Sequence, residues 1–533
     1  MPVATPPWPD GRRDVRERRT RMSNDSWRPK LHLAPQNGSI SDPNGLCQFR
    51  GTYHVFCQNA PEYPGNLDSP HGWGHFASRD LVSWVFLGCH VMPDAPSDRD
   101  GSYSGGAYVT QDGEELWLYY TGNVREPEGD GTYAGRLANQ TRMRSYNGIN
   151  LGPKEVVLDN AGYPAYCSNH VRDPKVWLQD GTLHMMLGAR TRTDSRGSIL
   201  MYDSPDGERW GLSGSLTNQG PAFGYMWECP DRIVLGGEEG TREFLACCPQ
   251  GTDNYAHKCQ NVHSAGYFPI EGTICDLMRE DALLMGASAP HATDQAGVSA
   301  DGFVEWDHGF DYYACQTLVD EQGRTILVGW MSLPHDKNDV RPYDNPTDSW
   351  RGCLTVPRVL SLDERSGRIL QQPAAEIDSL RGERLPIEGE GPCAEDGRHP
   401  GQGTQGEAQR RKVTICGKVG DVLLGGVSGN GVVRFDDFLE LRIADGVAEL
   451  AFTDDSVGQG RTVRQALCGE VHDLRILVDT SVLEIFLNGG ETVFGTRYYA
   501  ETDALTLCAT FGRIGEAAAW SMRPLSVNYL VTR

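Results

Sequence analysis

Short apolar and aromatic runs, each closed by a turn signal, recur from Trp27 to about residue 360. Leu116–Tyr120, Lys175–Leu178, Thr182–Leu187, Ile199–Ser204 and Ile326–Trp330 are examples, and Asp112-Gly113, Asp180-Gly181, Asp206-Gly207 and Asp301-Gly302 lie beside such runs. Asp-Gly pairs turn a chain between strands, because Gly accepts the positive φ that tight hairpins need. No long stretch repeats with the helical period. With 63 Gly and 31 Pro, the pattern predicts an all-β chain. Many short, evenly spaced strands fit a propeller or a sandwich, and without a strict internal repeat the number of blades does not follow.

Residues 371–385 read as a connecting segment with a helical turn or two, and 386–408, rich in Gly, Glu and Pro, as a loop. Strands resume at Val432–Phe435, Leu439–Ile443, Val447–Phe452, Leu474–Val478 and Val482–Leu487, the last followed by an Asn488-Gly489 turn. The expected organisation is a basic, disordered tail over 1–26, a strand-rich domain over 27–370, a linker over 371–408 and a second β domain over 409–533.

Charge and cysteines narrow the class. The 533 residues carry 49 Lys and Arg against 72 Asp and Glu, a net charge of −23. That argues against nucleic acid or an anionic membrane surface as partner. It favours a neutral substrate, unless a local basic pocket compensates. Fifteen cysteines are scattered along the chain, with no Cys-x-x-Cys, as expected for reduced thiols in a cytoplasm. His257, Cys259 and His263 could be read as zinc ligands, but their spacing is not a standard one. The tail, with Arg12, Arg13, Arg16, Arg18, Arg19 and Arg21, lacks the apolar core of a secretory signal, and no run is long enough to span a membrane.

Three acids stand in one kind of setting. Asp42 opens Asp42-Pro43-Asn44-Gly45, ahead of the runs Leu46–Phe49 and Thr52–Cys57, which Arg50-Gly51 splits into a hairpin. Arg172-Asp173-Pro174 precedes Val176–Leu178, and Trp227-Glu228-Cys229-Pro230 precedes Arg232–Leu235. Each acid has Pro within two residues and then a strand. In a propeller, equivalent strand ends of successive blades converge on one axial pocket, so acids far apart in sequence can meet. Paired carboxyl groups of different pKa are what glycoside cleavage requires.

The Asp42-Pro43-Asn44-Gly45 hairpin with Gln58, Arg172-Asp173-Pro174 and Trp227-Glu228-Cys229-Pro230 together resemble glycoside hydrolase family 32, the β-fructofuranosidases. The resemblance implies a five-bladed β-propeller followed by a C-terminal β-sandwich, and a retaining hydrolase of terminal fructosyl units on sucrose or short fructo-oligosaccharides. It implies Asp42 as nucleophile, Glu228 as acid/base and Asp173 as transition-state stabiliser. Sugar contacts are expected from Ser41, Asn44, Gln58, Trp73, Ser104, Arg172, Tyr313 and Trp330. Arg172 is expected to keep Asp173 ionised, and the apolar neighbours Trp227 and Cys229 to raise the pKa of Glu228. Asp307 and Asp311, in a run that resembles the family, are expected to support the pocket.

No cofactor or metal is implied. The partner is a small-molecule sugar, with the protein a monomer or homo-oligomer. The chain departs from the family pattern at Ser39, where Trp is usual, at Ser41, where Asn is usual, and over Tyr63–Asp68, which lacks a further Trp. A fructan exohydrolase, a sucrose-6-phosphate hydrolase and a transfructosylase are alternatives within the class. A non-catalytic sugar-binding propeller is the alternative outside it.

Overall fold

A computed structural model describes residues 26–62, 70–132, 134–218, 223–237, 240–279, 283–284, 302–334, 346–347, 349–389 and 408–530. The strands fall into seven sheets. Five succeed one another along the chain, and their innermost strands are Gly38–Phe49, Ser102–Val109, Cys167–Gln179, Phe223–Gly237 and Tyr313–Val319. Each of these five strands packs against the next, and the last packs against the first. A separate apolar cluster fills each gap between successive sheets. Trp73, Phe56 and Tyr120 lie between the first and second, Trp227, Phe268 and Met186 between the third and fourth, and Ile40, Leu318 and Val328 close the ring between the fifth and the first. A ring of sheets about one axis is a β-propeller.

Its strands are covered on both faces. Thr182–Thr191 is buried at nearly every position, which is why such segments appear in the sequence as continuous apolar runs. Two further six-stranded sheets form the β-sandwich, whose strands alternate inward and outward, as Gln409–Cys416 and Leu439–Ala444 do.

The expected boundaries need correction. Gln371–Pro373, read as the start of a linker, finishes a strand of the fifth sheet. A short helix, Ala375–Asp378, follows, and Arg381–Arg384 then pairs with Glu516–Met522 as an edge strand of the sandwich. Residues 390–407 lie outside the described residues, as does the predicted tail up to residue 25. The sandwich does not keep the whole C-terminal segment. Ser526–Tyr529 leaves it and pairs in parallel with Ser83–Val91 of the first propeller sheet. Conversely, the stretch leading into the propeller is held by the sandwich, where the Asp479 carboxylate accepts from the Lys30 and Leu31 amides at 2.7–2.8 Å.

A buried charge network joins the two modules. His32 bridges Asp479 at 2.8 Å and Glu484 at 2.9 Å, and all three side chains are fully buried. Arg358 meets Glu484 at 2.5 Å and Asp307 at 3.0 Å. Asp307 also accepts from the Gly495 amide at 2.6 Å, and Asp311 takes a two-pronged bond from Arg461 at 2.7 Å. Asp307 and Asp311 therefore hold the sandwich to the propeller. Burial alone would strip His32 of its proton, but the two carboxylates outweigh it and raise the pKa to about 9.

Candidate active site

The three acids do not precede their strands, as the sequence suggested; they lie inside them, at bulges. The pairing register of Gly38–Phe49 slips between Ile40 and Pro43 and again between Asn44 and Cys47. It slips opposite Arg172–Lys175 in the third sheet and between Glu228 and Asp231 in the fourth. Proline cannot donate to a ladder, and a bulge is where a strand tolerates it. Pro43, Pro174 and Pro230 mark these irregularities. Asp173 has φ 65° and Cys229 φ 48°, so the backbone turns out of the strand at Asp173 and immediately after Glu228. The two bulges pack tightly. A Cβ on Gly188 would come within 2.1 Å of the Trp227 carbonyl oxygen, so only glycine fits there.

Each acid has a distinct set of donors. Ser104, at a bulge of the second sheet, donates to Asp42 Oδ2 at 2.7 Å. Burial and the charge on Glu228 raise the Asp42 pKa, while the Ser104 and Ser41 hydroxyls pull it down. Asp173 Oδ2 accepts from the Cys229 amide at 2.9 Å, and the Asp173 amide donates to Thr121 Oγ1 at 3.0 Å. Glu228 Oε1 takes Arg172 Nε at 2.9 Å and Nη2 at 2.6 Å, and Oε2 takes Tyr313 Oη and Gln250 Nε2, both at 2.7 Å.

This reverses the expected electrostatics. Arg172 grips Glu228 and stands 4.0 Å from Asp173. Burial pushes Glu228 up, but Arg172 and Tyr313 outweigh it, and its pKa is held below the usual value. Burial and the neighbouring Glu228 charge push Asp173 up to about 7, with Arg172 offsetting only part of that. The apolar flanks of Glu228 do not set its acidity; its hydrogen-bond partners do.

Of the other expected contacts, Ser41, Ser104, Arg172 and Tyr313 gather around the acids. Gln58 donates to the Ser102 carbonyl at 3.0 Å, and its Oε1 is buried without a partner. Trp330, 8% exposed, also keeps an unpartnered indole nitrogen.

Two of the expected sugar contacts, Trp73 and Asn44, are buried instead. Trp73 is 0% exposed, donates to the Tyr103 carbonyl at 3.0 Å and packs between Phe56 and Tyr120, so no sugar reaches its ring. Asn44 is likewise 0% exposed and accepts from the Gly105 amide at 3.2 Å. It positions the strand that carries Ser104. At the Ser39 departure, Asn59 donates to the Ser39 carbonyl at 3.3 Å rather than replacing a side-chain contact. The Tyr63–Asp68 departure lies outside the described residues.

Sequence reasoning missed Gln250, Thr121 and His170. Gln250 lies on Gly240–Thr252, two residues beyond Cys248, the cross-strand partner of Glu228, so only the pairing register shows it. His263, read as a zinc ligand, accepts from the Gly251 amide at 3.2 Å and stands beside the Tyr313 ring, while Cys259 is fully buried. Among the described residues no set of three His, Cys, Asp or Glu side chains is grouped to hold a metal ion. Nor, among them, is any helix long and apolar enough to cross a membrane.

Residues 32–373 match the model of the glycosyl hydrolases family 32 N-terminal domain, and 447–521 that of the family 32 C-terminal domain. A sucrose-6-phosphate hydrolase of Staphylococcus xylosus is 32% identical, over 92% of this chain and 90% of its own. A raffinose invertase of Escherichia coli is 30% identical, over 93% and 95%. A family 32 β-fructofuranosidase of Bombyx mori superposes with a TM-score of 0.72 at 25% identity, covering 96% of this chain and 97% of that one.

Proposed function

The chain belongs to glycosyl hydrolase family 32, and from that premise we propose that it cleaves the fructosyl–glucosyl bond of sucrose, or of a sucrose derivative, through a fructosyl-enzyme ester. The convergence of Asp42, Asp173 and Glu228 from three sheets, each acid with its own donors, supports this reading above all. Each of the five sheets of the ring is read as one blade.

In this mechanism Asp42 attacks the anomeric carbon while Ser104 and Ser41 hold its carboxylate in line. Glu228 gives its proton to the departing glycosidic oxygen, and the bond from carbon to that oxygen breaks. Glu228 then removes a proton from water, which attacks the same carbon and releases Asp42. Without substrate, burial and the Glu228 charge raise the Asp173 pKa while Arg172 and Tyr313 lower that of Glu228, so of the two carboxyls Asp173 holds a proton the more tightly. Sugar hydroxyls donating to Asp173 stabilise its charged form. Its charge, beside Glu228, then raises the affinity of Glu228 for the proton, because neighbouring carboxyls titrate as a pair. Substrate binding thereby moves the proton to the group that needs it. Asp173 stays charged to face the developing oxocarbenium ion.

All fourteen described cysteines are free thiols, which supports a reducing compartment such as the cytoplasm. The reading is tested by incubating the enzyme with sucrose, measuring glucose and fructose, and trapping the intermediate in Glu228→Ala with an activated fructoside. A fructosyl adduct on the peptide containing Asp42 is expected. Failure to release fructose, or an adduct on another residue, overturns it.

A further inference from the structure

Arg172 grips Glu228 at a single point. Its Nε and Nη2 converge on Oε1, at 2.9 Å and 2.6 Å, so the guanidinium can pivot about that oxygen. Asp173 Oδ2 stands 4.0 Å from the same Nε, and a small swing would trade one carboxylate for the other. A guanidinium fork fits either acid. A contact outside the two acids must therefore fix its orientation.

His170 supplies that contact. Its Nδ1 accepts from Arg172 Nη1 at 3.0 Å and from Arg136 Nη1 at 3.3 Å. Guanidinium groups only donate, so Nδ1 carries no proton and the ring's one N–H is on Nε2. Burial and the charges of Arg172, Arg136 and Arg190 hold the His170 pKa down to about 2, against a smaller opposing pull from Asp130. The ring is thus a neutral acceptor across the pH range in which the carboxyl pair titrates.

The ring is itself held in place. Asn169 fastens its strand to the second sheet, donating from its side chain to the Arg136 carbonyl at 3.0 Å and from its amide to the Thr132 carbonyl at 2.8 Å. The His170 amide donates to Ser168 Oγ at 3.2 Å, and Arg136 lies over the Tyr103 ring. The neutrality of the acceptor matters. A carboxylate at this position would also orient Arg172, but its charge would compete with Glu228 for the guanidinium. An imidazole nitrogen orients the group and leaves its charge to the two acids.

We propose that His170 is a positioning residue whose neutral Nδ1 fixes the Arg172 guanidinium on Glu228 and off Asp173. The inference deepens the glycosidase reading and rests on it for the role of Glu228. With Arg172 so fixed, Glu228 is kept the stronger acid of the pair and Asp173 the weaker. Released from His170, Arg172 would favour the charge on Asp173 instead, and both changes would make Glu228 hold its proton more tightly.

The test follows kcat of the whole enzyme on sucrose against pH in the wild type, His170→Leu, His170→Asn and His170→Asp, with a crystal structure of each. The leaving oxygen of sucrose needs a proton, so the alkaline limb reports Glu228 in the complex. His170→Leu removes the acceptor, and the limb is expected to move up by about one pH unit, in kcat rather than in KM. In its crystal structure at least one of the two Arg172 bonds to Glu228 Oε1 should be lost. His170→Asn places a carbonyl oxygen where Nδ1 stands and is expected to keep the wild-type limb. His170→Asp keeps an acceptor but adds its charge, and its limb is expected to rise as in His170→Leu. A limb unmoved in His170→Leu or in His170→Asp, a raised limb in His170→Asn, or both Arg172 bonds intact in His170→Leu overturns the positioning role. If the wild type releases no fructose, the glycosidase reading has failed, and the place of Arg172 in the crystal structures still decides for His170. Should His170→Leu fail to fold, the other two variants decide: a raised limb in His170→Asp beside a wild-type limb in His170→Asn supports the role, and equal limbs overturn it.

Discussion

The buried His32 makes the join between the modules titratable. Its pKa is about 9 in the folded protein, against 6.5 for a free imidazole. A raised pKa means that the folded state binds the proton more tightly. The stabilisation is therefore complete below pH 6.5 and lost as the pH rises through 9. A shift of that size corresponds to roughly 3 kcal/mol, of which about 1 kcal/mol remains at pH 8.5. His32→Gln removes the charge between Asp479 and Glu484 at every pH, and leaving a buried carboxylate without its partner costs about 3–5 kcal/mol. Urea unfolding of wild type and variant should therefore show a wide gap in stability at pH 6 that narrows by roughly 2 kcal/mol by pH 8.5. Taking the difference cancels every other group that titrates equally in both. A gap that stays constant from pH 6 to 9 would mean that His32 is neutral in the folded protein, and the reasoning would be refuted.

Three further outcomes are expected. Asp42→Ala and Glu228→Ala should each abolish sucrose turnover with unchanged circular dichroism, and Glu228→Ala should recover on a fructoside whose leaving group needs no protonation; equal losses on both substrates would deny Glu228 its role as acid. Ser104→Ala removes a donor that lowers the Asp42 pKa, so the acidic limb of the pH–rate profile should move to higher pH; an unmoved limb would show that the hydroxyl does not tune the nucleophile. Burial lowers the His54 pKa to about 4, so its neutral form contributes stability above pH 6.5 that is lost as the pH falls, roughly 3 kcal/mol by pH 4; His54→Phe, with no proton to gain, should lose less stability to urea between pH 6.5 and 4.5 than the wild type, and an equal loss would place the acid sensitivity elsewhere.

Much of this was legible in the sequence for a local reason. Asp-Gly turns punctuate the strands, and each acid is flagged by a proline that a regular ladder rejects. What was not legible depends on register or on packing at a distance. Asp42-Pro43-Asn44-Gly45 reads as a corner before a sheet, because no local signal distinguishes a turn from a bulge within a longer strand. Arg172 stands next to Asp173 in sequence, yet the bulge at Asp173 sends the guanidinium to Glu228, on another sheet. Trp73 has the sequence setting of a pocket residue, but Phe56, Tyr120 and Gly45 close over it. Gln250 and His170 have no motif and become visible only once their strands are paired.

The pairing of Ser526–Tyr529 with Ser83–Val91 bears on how the protein is made. A ribosome delivers the first sheet early, and its outer strand then waits with open backbone groups while the rest of the propeller and the whole sandwich are synthesised. Such an edge invites pairing with a neighbouring nascent chain until its own partner arrives. The earliest sheet is thus the last to be completed, and the propeller cannot be cut from the sandwich at residue 408 without losing the strand that covers the outer edge of its first sheet.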